Sequence, residues 1–93
     1  MSEHKIAKLF RVRGRVQAVG FRYFVDQAAR ALGVRGWVRN DDDGSVEVYA
    51  VGTPAQLSEL AGYLWKGPRW AEVRGVDEAE AAVENHLEFF VRQ

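Results

Sequence analysis

A chain of 93 residues, 47% hydrophobic and 28% charged, has the size and balance of one modest globular domain spanning residues 1–93. Lys plus Arg and Asp plus Glu both total 13, so no net charge draws the protein toward nucleic acid or an anionic membrane, and any anion recognition has to be local. The absence of cysteine excludes disulfides, thiol chemistry and cysteine-ligated zinc. No signal-peptide pattern or apolar run of membrane-spanning length is present, so a cytoplasmic protein is expected.

After a polar lead-in from Ser2 to Lys5, Ile6 to Arg13 read as a strand with Phe10 and Val12 inward and Arg11 and Arg13 outward. The stretch Gly14-Arg15-Val16-Gln17-Ala18-Val19-Gly20-Phe21-Arg22 then leads into a helix, because Phe21, Phe24, Val25, Ala28 and Leu32 recur at helical spacing. Gly33 is placed to stop that helix. A glycine-bearing loop entering a helix presents free N–H groups and the positive end of the helix dipole, a ready site for phosphate. Arg22 strengthens this reading, since a cation in a first helical turn is unfavourable without an anion beside it. Arg13 and Arg15 would add to the positive field. A plain strand-to-helix turn with surface arginines would leave the same signal, and spacing alone does not choose between the two. The stretch is neither a Walker A loop nor a dinucleotide fingerprint.

Val34 to Asn40 read as a second strand, with Val34, Gly36 and Val38 on one face and Arg35, Trp37 and Arg39 on the other. Asp41-Asp42-Asp43-Gly44 is a hairpin turn into a third strand from Ser45 to Val51. A metal site in the three aspartates is a weaker reading than a solvated turn, because consecutive side chains diverge. Thr53-Pro54-Ala55-Gln56 opens a second helix with a capping box and proline at its first position, and Leu57, Leu60, Ala61 and Leu64 form its buried stripe. Gly67-Pro68 ends it. Ala71 to Val76 look strand-like, Asp77 to Glu84 are acidic and ambiguous, and Leu87 to Arg92 alternate as a last strand.

The order predicts an α+β fold, a ferredoxin-like split βαβ sandwich (βαββαβ plus a short C-terminal strand). Its sheet is antiparallel, with two helices on one face and strands one and three central. That topology brings the loop after strand one and the end of strand two to the same sheet end, and with them Asn40. An amide cannot serve as a proton base at neutral pH, so Asn40 would position a water rather than deprotonate it. Its alternative is to serve only the turn that follows.

Together these residues resemble the acylphosphatase family. Its first signature, aliphatic-x-Gly-x-Val-Gln-Gly-Val-x-Phe-Arg, is matched from Val12 to Arg22. Its second is Gly-aromatic-Val-basic-Asn-x-x-x-Gly-x-Val with a glycine after five intervening residues, matched from Gly36 to Gly52. One position departs, Ala18 standing where the family carries glycine. The resemblance implies hydrolysis of acyl phosphates to carboxylate and inorganic phosphate, without metal or other cofactor. Arg22 and the loop N–H groups across Arg15, Val16, Gln17, Ala18, Val19, Gly20 and Phe21 would hold the phosphoryl group, and Asn40 would orient the water. It further implies a small-molecule acyl phosphate as partner, phosphate as product and inhibitor, no nucleic acid or membrane partner, and a monomer. His4 and His86 are expected to be surface residues.

Two other readings compete. Trp37, Tyr49 and Phe90, with Arg35 and Arg39 near them, would suit an RNA platform on the open sheet face, against which the zero net charge weighs. A phosphate-binding protein without turnover would follow if Ala18 spoils the loop.

Overall fold

The computed structural model describes residues 4–93, so part of the polar lead-in, residues 2 and 3, lies outside the described residues. The described chain runs β1 (Ile6–Arg15), α1 (Phe21–Leu32), β2 (Arg35–Asn40), β3 (Val46–Gly52), α2 (Pro54–Lys66), β4 (Glu72–Ala81) and β5 (Phe89–Val91). The sheet order is β4-β1-β3-β2-β5. β1 pairs antiparallel with β3 and β4, and β2 pairs antiparallel with β3, as the split βαβ pattern predicts. The appended β5 runs parallel to β2, so the full sheet is mixed rather than antiparallel throughout. The physical reason is the route of the chain: β5 enters from the far edge of the sheet, at the end where β2 begins. No helix among the described residues is long and apolar enough to cross a membrane.

Both helices cover one face. Phe21, Val25 and Ala29 of α1 and Leu57, Leu60 and Leu64 of α2 pack with Phe10, Val12, Val38, Val46, Val48 and Phe89 into one core. The capping box forms as expected. Gln56 N–H donates to the Thr53 hydroxyl at 3.2 Å, and Thr53 N–H donates to Gln56 Oε1 at 2.8 Å. The same glutamine amide donates to the Leu32 carbonyl at 2.8 Å, tying the start of α2 to the end of α1.

The edges differ from the simplest reading. β1 runs past Arg13 to Arg15 across a bulge, pairing Gly14 with Val73 and Arg15 with Glu72. Gly14 has φ 129°, and a β-carbon there would collide with the Glu72 carbonyl. The ambiguous acidic segment is strand as far as Ala81. Its charges are matched across to basic residues of β1, with Asp77 on Arg13 and Glu78 on Lys8, each at 2.9 Å. An acidic edge strand is tolerable where the neighbouring strand supplies the cations. β5 is shorter than Leu87 to Arg92, and Leu87 itself is almost fully exposed.

The sheet face away from the helices is not open. The connection from β4 to β5 crosses it, and Tyr49 lies beneath, 4% exposed. Its hydroxyl donates to the Ala82 carbonyl and accepts from Glu84 N–H at 2.8 Å. His86 packs edge-on against Tyr49 with ring centres 5.7 Å apart, and Trp37 stacks on the tyrosine at 5.8 Å. The strap therefore removes Tyr49 from any RNA platform. Tyr49→Phe is expected to destabilise the fold by about 1–2 kcal/mol by orphaning two backbone groups. Hydrogen exchange at the Glu84 amide, measured beside urea unfolding, should speed up if this bond holds the strap.

Candidate active site

β1 and β2 finish at the same end of the sheet, with β3 between them. The chain leaving β1 turns through Ala18, φ 58°, and Gly20, φ 76°, before entering α1. Gly20 is the N-cap of α1 and offers no side-chain cap, and the first turn contains no acidic residue. Among the described residues, the N–H groups from Gln17 to Gly20 find no backbone acceptor. Arg22 lies in that first turn, half-buried. Among the described residues it makes no ion pair, whereas Arg11, Arg13, Arg30, Arg39 and Arg74 all sit against carboxylates. Free N–H groups, the helix dipole and an uncompensated guanidinium converge on one place, which favours an anion there.

That place is a cleft of about 260 Å³. Of the residues singled out in the sequence, Val16, Ala18, Gly20, Phe21, Arg22 and Asn40 line it. Arg15, Gln17 and Val19 do not. Arg15 is an exposed residue of the β1 ladder opposite Glu72, and Val19 packs toward the core. Gln17 turns its amide to the β2–β3 turn, donating to the Asp41 carbonyl at 2.7 Å and the Ser45 carbonyl at 2.9 Å.

Sequence reasoning missed three lining residues, Tyr23, Val91 and Gln93. Tyr23 follows Arg22 on the helix and had a signal, since its ring lies outside the apolar stripe. Val91 and Gln93 arrive only because β5 runs alongside β2, with Arg92 N–H donating to the Val38 carbonyl at 2.8 Å. A three-residue strand carries no turn signal that would fix its neighbour.

The turn beyond Asn40 is gripped from its other side. Arg11 donates to Asp41 at 2.9 Å, Asp43 at 3.1 Å and the Ser45 hydroxyl at 2.8 Å. The Arg11 hydrogen bond holds the Asp41 carboxyl below the usual range, and hydrogen bonds from the Ser45 hydroxyl and N–H do the same for Asp43. Two of the three aspartates are therefore committed to the turn.

A family model described as Acylphosphatase matches residues 8–91. An acylphosphatase of Solibacter usitatus is 57% identical over 86 residues, covering 92% of this chain and 90% of its own. The chain belongs to the acylphosphatase family. As an acylphosphatase it is a hydrolase of acyl phosphates, with phosphate as a product. The solved acylphosphatase structure from Coxiella burnetii superposes with TM-score 0.91 at 38% identity, covering 95% of this chain and 93% of that one. That from Bacillus subtilis gives TM-score 0.92 at 35% identity, covering 95% and 99%. The ferredoxin-like α+β fold of the family is the fold described above.

Two outcomes follow for this acylphosphatase. Ala18 holds a left-handed backbone angle that an L-residue adopts at a cost, so Ala18→Gly should raise unfolding stability by about 1 kcal/mol, read from urea midpoints. Asp41 and Asp43 have folded pKa values below their unfolded ones, so their contribution is complete above the unfolded value, about 3.9, and drains away as pH falls through the lower folded values. Melting temperature should hold from neutral pH down to about pH 5 and drop below about pH 4, and Arg11→Met should shallow that drop mainly through Asp41.

Proposed function

We propose that this acylphosphatase holds the phosphoryl group of its substrate on the loop N–H groups between Val16 and Phe21 and on the Arg22 guanidinium, while the Asn40 amide orients the attacking water. The observation that carries the proposal is the meeting, at one cleft, of an uncapped and acid-free helix start with a half-buried arginine that has no carboxylate partner among the described residues. Asn40 lines the same cleft from the end of β2. Its oxygen accepts a hydrogen bond from the water and its nitrogen donates toward a phosphoryl oxygen.

In the reaction the water oxygen bonds to phosphorus, and the bond from phosphorus to the bridging acyl oxygen breaks. The carboxylate leaves with the electron pair, and the water's proton ends on the phosphate or in solvent. A carboxylate whose acid has a pKa of about 4 departs without a general acid. Placement of the water and stabilisation of charge on the phosphoryl oxygens are therefore the whole task, which N–H groups, an arginine and an amide can perform. No step calls for a metal. Arg15 contributes only its charge in this reading, because its backbone belongs to the β1 ladder.

Inorganic phosphate, fitting the same cradle, inhibits. The reading includes a cytoplasmic monomer, which the cysteine-free chain suits.

Hydrolysis of benzoyl phosphate in the presence of EDTA tests it. Arg22→Ala should lose both turnover, by about 10²–10³-fold, and inhibition by phosphate. Asn40→Ala should lose turnover by a similar factor of about 10²–10³ while keeping the phosphate inhibition constant. An Asn40→Ala enzyme at full rate would disprove the water-positioning role.

A further inference from the structure

The phosphate chemistry leaves one polar side chain of the loop unused. Gln17 sits beside Ala18 in the cradle, yet its Nε2 turns away from the cleft to the Asp41 and Ser45 carbonyls, at 2.7 and 2.9 Å. An amide nitrogen carries two hydrogens, and both are spent on these acceptors. The two carbonyls bracket the β2–β3 turn, which closes on itself through Asp41 N–H to the Ser45 carbonyl at 2.8 Å. Among the described residues, the two Gln17 bonds are the hydrogen bonds that join the loop 16–20 to this turn.

Their placement is specific. Gln17 is one residue from Ala18 in the cradle, and Asp41 is one residue from Asn40 in the cleft wall. Asn40 is the last residue of β2, opposite Val46, and β3 stands between it and β1. The bonds therefore span the line along which the relative position of Asn40 and the phosphoryl group is decided. Arg11 restrains the same turn from the outer sheet face, so Gln17 closes a grip that is otherwise one-sided.

We propose that Gln17 is a positioning residue for the hydrolysis, setting the Asn40 amide at the height over the phosphate cradle that an in-line water attack needs. This rests on the roles given above to Arg22 and Asn40. The Gln17 side chain does not touch the substrate. It acts through Asn40, and a displacement of about 1 Å between water and phosphorus costs on the order of 10²-fold in rate.

The test uses the purified full chain with benzoyl phosphate as substrate and inorganic phosphate as inhibitor. Gln17→Ala is expected to lower kcat by about tenfold or more and to leave the phosphate inhibition constant within about twofold, because the cradle N–H groups and Arg22 remain. In an Asn40→Ala background the same change should alter kcat by less than about twofold, since the residue it positions is gone. Gln17→Glu places a carboxylate against two carbonyl oxygens, which raises its pKa. Its kcat relative to the parent should be low near about pH 8 and recover toward about pH 5, as protonation returns one donor. A purely structural role would lower melting temperature and move kcat and phosphate inhibition together, with no recovery in acid. The proposal is overturned if Gln17→Ala keeps the parental kcat, if phosphate inhibition weakens in step with kcat, or if the full loss persists in the Asn40→Ala background. A parent chain that does not turn over would sink the reading of Arg22 and Asn40 first and the clamp with it. A parent that turns over beside an equally fast Gln17→Ala variant sinks the clamp alone.

Discussion

The constraint on which this molecule depends is that β3 lies between β1 and β2, buried along its whole length. Val46, Val48 and Ala50 face the helices, while Tyr49 and Val51 face the strap side, so β3 cannot slip by one residue without exchanging the two cores. Its position separates β1 from β2 by two strand spacings, about 10 Å. Both outer neighbours end at the same side of the sheet, and the cleft is the space between those ends. An arginine in the first turn of α1 reaches into that space from one side and an asparagine ending β2 from the other. The site is thus a consequence of strand order before it is a consequence of any motif.

Among the described residues Arg15, Arg22, Arg35, Arg69 and Arg92 have no carboxylate partner, and of these Arg22 alone is half-buried, the others being exposed. The chain is neutral overall, and five arginines are tied to carboxylates, among them Arg11 and Arg39, which share Glu47 from either side. Arg22 has no such partner among the described residues, and it sits where the helix dipole already repels it. A cation at a helix N-terminus is unfavourable unless an anion lies beside it, so this arrangement carries a local cost. The same holds for the backbone. Ala18 adopts a left-handed angle in the loop, a local cost borne at the site and offset by the core beneath.

The elements were legible wherever local chemistry is strong. The two helices, their caps, the Asp-Gly turn and the central strands follow from periodicity and end signals, and the structure has them within a residue or two. Arg22 stands out locally, because a cation in a first helical turn asks for a reason. Asn40, by contrast, reads from its neighbours equally as a turn residue and draws its role from the family resemblance. Where the reading fell short, the deciding partner was distant in sequence. The acidic residues after Val76 look unlike a strand until Lys8 and Arg13 are set beside them. Arg15 looked like loop until β4 extended β1 through the bulge.

By itself, then, the sequence determined the two helices, the central strands, the class of fold and the one cation out of place in a first helical turn, because those depend on neighbours a few positions away. Only the tertiary structure decided the direction of β5, the strap over Tyr49, the entry of Val91 and Gln93 into the cleft, and the turn of Gln17 away from the phosphate toward Asp41 and Ser45. Those outcomes hang on contacts between segments tens of residues apart. Such contacts form where packing and unpaired backbone carbonyls leave room, and no local pattern encodes that.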